Sequence, residues 1–173
     1  GRARTLGLSA QAGFPARKAA LLILSNILRR KKPLDTQLGE LSALVQRDAG
    51  FARALVSQTL RHLGELEAVL QQCLSKPLAP HKAGTAPEIL LLGACELLIL
   101  KGAAHAAVDA ANNLAAADTK AVHFKPLINA VLRRVAREGE AILAAQDRIR
   151  LSVPDWLWAC WAAQYGLDTT RAI

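Results

Sequence analysis

"EILLLGACELLIL", residues 88–100, decides the fold. Read with a helical period the stretch is apolar nearly all the way round, and a helix with no polar face belongs at the centre of a protein. Upstream, Thr85 and Glu88 have the spacing of a capping box, and Pro87 is tolerated in a first turn. Downstream, Gly102 closes the helix. The apolar run 89–100 is too short to span a bilayer and carries Glu96 in its middle. A core helix is expected, and no membrane segment.

The flanking segments keep the same period. "PARKAALLILSNILRRKK" (15–32) begins on a proline, and Ala20, Leu21, Ile23, Leu24, Ile27 and Leu28 recur with helical spacing. Its last turn is cationic, which suits the helix dipole, and Pro33 stops it. "PLDTQLGELSALVQ" predicts a short helix with Leu38, Leu41, Leu44 and Val45 on one face. "RDAGFARALVSQTLRHLG" starts at Asp48 as N-cap and buries Phe51, Leu55, Thr59 and Leu63. A bend at Gly64 precedes "ELEAVLQQCLS". "KPLAPHKAG" is read as a loop, "AAHAAVDAANNLAAA" as another helix, and "ADTKAVHF" as a turn. A long helix runs from about Pro126 to about Ala145, and a last one follows "SVPDW". No segment alternates with period two. The predicted class is all-α.

Composition agrees. Hydrophobic residues make up 52% and aromatics only 4%, with Ala and Leu abundant, a balance that favours helices over strands. At 173 residues the chain can bury a core without disulfide or metal staples. The net charge of +8 and pI near 9.9 point to a polyanionic partner, most often nucleic acid. Residues 1–14 are expected to form a disordered basic arm, 15–150 the helical domain, and 151–173 a linker helix. With a start at Gly and no Met, the chain is expected to be a piece excised from something longer.

Catalytic chemistry has little to stand on. No glycine-rich strand–turn–helix is present to cradle a dinucleotide or S-adenosylmethionine. Cys73, Cys95 and Cys160 lie in apolar helical patterns where packing is the expected role, and their odd number fits a reducing cytoplasm. His62, His81, His105 and His123 show no metal-ligand spacing. His105 and Asp109 share one helix face and are read as structural, and Arg61 is read as pairing with Glu65. No catalytic residue, metal or cofactor is assigned to this chain.

The basic residues carry the functional reading. In "INAVLRRVAR" (128–137), Arg133 and Arg134 cannot both face the core, and Arg137 lies one turn beyond them. Either this is a solvated helix face or a surface for phosphate, which the planar fork of arginine suits better than lysine does. Asn129 is expected to hold helices together through a buried amide. Arg29, Arg30, Lys31 and Lys32 form the densest run, more than dipole compensation needs.

Several stretches in order, "RKAALLIL", "RDAGFARALVSQTLRHLGELEAVLQQCLSKPL", "EILLLGACELLIL", "AAHAAVDAANNLA" and "LINAVLRRV", resemble the NusB-like all-helical RNA-binding domain. Such domains occur as free-standing transcription antitermination factors that act with a ribosomal protein. They also form the N-terminal domain of bacterial 16S rRNA cytosine-5 methyltransferases of the Sun/Fmu family. "INAVLRR", with Arg133 where antitermination factors usually carry Asp, and "SVPDWLWACWAAQYG" both resemble the methyltransferase form, whereas Ala104 departs from its usual Pro. The resemblance implies a NusB-like bundle that binds RNA, with 16S rRNA and the parent's own catalytic domain as partners. S-adenosylmethionine would bind in that absent domain. It also implies RNA contact by a basic N-terminal arm, which adds Arg2, Arg4, Arg17 and Lys18 to the candidates. The alternatives are an antitermination-type factor in transcription and a helical protein-docking module whose charge is incidental.

Overall fold

The computed structural model describes residues 13–33 and 38–146. Seven α-helices occur along them: α1 Phe14–Arg30, α2 Gln46–Arg61, α3 Leu63–Cys73, α4 Pro80–Ala83, α5 Ala86–Leu98, α6 Ala104–Ala116 and α7 Lys125–Gln146. Short 3-10 helices, Leu38–Ala43 and Ala121–Phe124, precede α2 and α7. No strand occurs among the described residues, so the bundle is all-α as the period implied.

Every residue of α5 is buried, including Glu88 and Glu96, which makes it the axle of the bundle. Helices α1, α2, α3, α6 and α7 all pack against it. The innermost layer is built from Ile23, Leu24 and Leu28 of α1, Leu55 of α2, Leu66 and Leu70 of α3, Ile89 to Leu91 of α5, and Ile128 and Leu132 of α7. Gly93 lets α7 come close: a Cβ there would stand 2.7 Å from Leu132 Cδ1. That is nearer than any real methyl contact, so the glycine sets the spacing between the two helices.

The two buried acids of α5 each hold an arginine of α1. Arg17 Nε donates to Glu96 Oε1 at 2.9 Å while its Nη2 meets Oε2, and Arg17 is 2% exposed. Phe51 lies under the same guanidinium, 5.1 Å from ring centre to Cζ. Arg29 grips Glu88 in the same two-pronged way, with Nη2 to Oε1 at 2.8 Å, and its Nη2 also reaches the Gly84 carbonyl. Burial pushes the Glu88 carboxyl above its usual range, with Arg29 pulling against it. Two such forks near opposite ends of α1 fix its register on α5.

Several expectations need correcting. Thr85 and Glu88 form no capping box: Thr85 N and Oγ1 both donate to Asp118 Oδ2, at 2.9 and 2.7 Å, and Glu88 belongs to Arg29. Asp48 is not the N-cap of α2, which begins at Gln46 after an extended Val45; Asp48 lies buried in the first turn. The chain breaks at His62 rather than Gly64, and Glu65 takes a contact from His62 Nδ1 at 3.0 Å, not from Arg61. Gly102 falls beyond the helix, which ends at Leu98. One helical turn, Pro80–Ala83, sits inside the segment expected as a loop. Asn129 is not a buried link between helices; its Oδ1 accepts from Arg133 Nε within α7 at 3.2 Å. Of the expected basic arm 1–14 only Gly13 and Phe14 are described, and Phe14 already opens α1; the rest of the arm and the expected last helix in 151–173 lie outside the described residues.

Candidate nucleic-acid interface

Helix α7 is amphipathic over its 22 residues. Ile128, Val131, Leu132 and Val135 face the core. With the inner face spent, Arg133, Arg134 and Arg137 have to lie outside, and all three are exposed. They do not point the same way. Arg134 turns toward its own helix, where its Nε meets Glu138 Oε1 at 3.2 Å, an exposed pair worth little stability. Arg133, braced by Asn129, and Arg137 line a groove against α6, opposite His105 and Asp109.

This groove holds about 400 Å³ between the two helices, with Ala104, Val108 and Ala136 making its apolar parts. The i, i+4 spacing puts Arg133 and Arg137 on one face of α7 and His105 and Asp109 on one face of α6, and both pairs line the groove. Arg137 has no ion pair among the described residues, so its fork remains open to a ligand. Helix α6 starts at the groove with no side-chain cap, so its first backbone N–H groups add partial positive charge there. The arrangement offers two guanidinium forks for anionic oxygens and one carboxylate as an acceptor.

A second basic area lies on α1. Lys18, Arg30, Lys31 and Lys32 are exposed, and the left-handed backbone of Lys31 (φ 58°) caps the helix end. Helix α6 divides the two areas. Its Val108 and Asp109 line the groove with α7, and its Leu114, with Ala117 just past its end, lines the groove with α1.

Comparison with known proteins points to one family. Residues 15–137 match the model of the NusB family. The small-subunit rRNA methyltransferase B of Pasteurella multocida is 35% identical over 143 residues, covering 82% of this chain and 32% of the relative. The corresponding enzyme of Pseudomonas putida is 34% identical over 158 residues, with 86% and 36% covered. That of Thermus thermophilus is 36% identical over 151 residues, with 85% and 32% covered.

The chain belongs to the NusB family.

It spans about a third of the length of the curated relatives it matches. Within this NusB domain the sequence candidates divide into three groups. Arg133 and Arg137 come together in the groove, with Arg134 beside them. Lys18, Arg30, Lys31 and Lys32 lie on the separate α1 surface. Arg17 is buried against Glu96, whereas Arg29 is held by Glu88 but stays partly exposed at the edge of the α1 surface. Arg2 and Arg4 lie outside the described residues. His105, expected to be structural, is exposed in the groove wall, and Asp109 beside it joins the site.

Neither cysteine among the described residues has the setting of a nucleophile. Cys73 and Cys95 are free and buried. Burial pushes the Cys95 thiol up to about 11 and raises that of Cys73 as well, so neither is a thiolate near neutral pH. No group of His, Cys, Asp and Glu that could hold a metal occurs among the described residues. No helix among them is long and apolar enough to cross a membrane.

Proposed function

We propose that this chain is the RNA-binding domain of an S-adenosylmethionine-dependent 16S rRNA cytosine-5 methyltransferase. In this reading it positions the RNA for a catalytic domain carried elsewhere in the same polypeptide, in the cytoplasm of a bacterium. One observation carries the reading. The groove between α6 and α7 brings Arg133 and Arg137 opposite His105, in a chain whose relatives are named as small-subunit rRNA methyltransferases. Paired guanidinium forks fit consecutive backbone phosphates, and Asp109 supplies an acceptor suited to a 2′-hydroxyl, which DNA lacks. S-adenosylmethionine belongs to the catalytic domain, and no residue of this chain is assigned to it.

Fluorescence anisotropy with labelled 16S rRNA hairpins tests the reading. Binding of order micromolar is expected, as for an interface built mainly on phosphates. RNA should win over a DNA duplex of equal length and charge. Equal affinity for the two would leave a generic basic surface and contradict the proposal.

A further inference from the structure

One residue of the α6–α7 groove does not suit a phosphate. Asp109 is exposed and lines the groove with Arg133, Arg137 and His105, yet it takes part in no ion pair among the described residues. A carboxylate set among phosphates repels them unless a hydrogen-bond donor lies between. An ionised carboxylate is an acceptor only, with two oxygens side by side to be satisfied. In RNA the 2′-hydroxyl brings one donor. The Watson–Crick edges of adenine, cytosine and uracil also bring one, beside acceptors that a carboxylate oxygen repels. Guanine alone presents two adjacent, parallel donors, N1–H and N2–H.

We propose, resting on the RNA-binding reading of this groove, that Asp109 selects an unpaired guanosine, its two oxygens accepting from N1–H and N2–H. The contact has the two-pronged form of an arginine–carboxylate fork, with the donors on the nucleic acid. Base pairing engages that same edge with cytosine. The guanosine therefore comes from a loop, a bulge or a strand end, where proteins read RNA bases.

The groove has the size and lining for such a ligand. Its volume of about 400 Å³ lies near the lower end of the roughly 300–1,000 Å³ of small-molecule sites, room for a nucleotide and not for a duplex. Ala104, Val108 and Ala136 give the base an apolar wall, and His105 supplies an aromatic ring of the kind on which unpaired bases stack. Arg133, its Nε held by Asn129 at 3.2 Å, and Arg137, with no ion pair among the described residues, take the flanking phosphates. Cations for the backbone and one carboxylate for the base divide the two tasks of recognition, affinity and sequence.

Labelled RNA hairpins that share one stem test the assignment by fluorescence anisotropy. Their loops are all uridine, or carry a single guanosine, inosine, adenosine or cytidine. The parent should bind the guanosine loop roughly tenfold more tightly than the adenosine, cytidine or all-uridine loops, the usual scale of a two-pronged base contact. Inosine keeps N1–H but lacks the 2-amino group, and should lose most of that preference. Asp109→Asn should weaken binding of the guanosine loop and tighten that of the others, since it removes a negative charge from beside their phosphates; circular dichroism should be unchanged. Equal affinity of the parent for all loops would overturn the proposal while leaving the groove an RNA site. So would a guanosine preference that survives Asp109→Asn, or an equal loss on every loop, which would put the carboxylate on a ribose. Failure of the RNA-binding reading looks different: Arg133→Glu/Arg137→Glu would bind every loop as tightly as the parent does, and the proposal would fall with it.

Discussion

Asp118 shows how much of this fold rests on one side chain. Its Oδ2 accepts from Thr85 N and Oγ1, and its Oδ1 from the backbone N–H groups of Lys120 and Ala121 at 2.8 and 3.1 Å. The carboxylate thereby ties the start of α5 to the turn after α6. Gly84, at φ +60°, leaves room for it, since a Cβ there would stand 2.6 Å from Oδ1. Partial burial raises the Asp118 pKa, but the hydrogen bonds from Thr85, Ala121 and Lys120 outweigh it and bring it down to about 2. A depressed acid stabilises the fold above its unfolded pKa, and that contribution is lost as pH falls through the folded value. Asp118→Ala should therefore cost about 1–3 kcal/mol near neutral pH, from donors left without an acceptor. In urea titrations the gap between variant and parent should narrow from pH 4 toward 2; a gap independent of pH would contradict the assignment. Glu96→Gln should cost about 3–5 kcal/mol, because it leaves the buried Arg17 charge uncompensated; thermal melts of the two proteins check it. Burial of that pair was open to inference. An acid inside an all-apolar helix demands a cation, and two acids in α5 call for two. Which cations answer was not legible, because Arg17 and Arg29 look in sequence like members of a surface run.

At the scale of elements, the contact between α5 and α7 governs the core. Leu132 of α7 is fully buried and closes over Gly93 of α5. Leu132→Ala should lower stability by about 2–5 kcal/mol, the usual cost of a core cavity. Gly93→Ala adds a methyl where there is no room and should cost about 1–3 kcal/mol, less what alanine returns in helix propensity. Chemical denaturation checks both, and a stabilised Gly93→Ala protein would show that Leu132 yields freely. The long helices were readable because hydrophobic period is a property of the helix itself. Thus α1 and α7 fall within a residue or two of their predicted ends. Caps were not readable in the same way. Thr85 and Asp48 have the right chemistry for capping, but the hydroxyl of Thr85 goes to Asp118, 33 residues away, and Asp48 is drawn inward. Tertiary partners overrode a local signal. The groove was half legible: the i, i+4 pattern of Arg133 and Arg137 stands in the sequence, but only the packing of α6 on α7 brings His105 and Asp109 opposite.

For the whole molecule the question is what a charge of +8 is for. Burial sharpens it, because Asp48, Glu67, Glu88 and Glu96 are all withdrawn from the surface while most of the cations stay outside. The exposed face is thus more basic than composition suggests, and α6 splits it into the α6–α7 groove and the α1 surface. Generic attraction would be spread over both, whereas a built interface concentrates in one. A salt titration of RNA binding by the parent, by Arg133→Glu/Arg137→Glu, and by Lys31→Glu/Lys32→Glu separates these cases. Each phosphate contact contributes about 0.7–0.9 to the slope of log affinity against log salt. If the groove is the interface, Arg133→Glu/Arg137→Glu abolishes most of the binding, with helicity unchanged. The Lys31→Glu/Lys32→Glu protein then keeps most of its affinity. Equal losses from the two double variants, or RNA binding by the groove variant as tight and as salt-sensitive as that of the parent, would contradict the account.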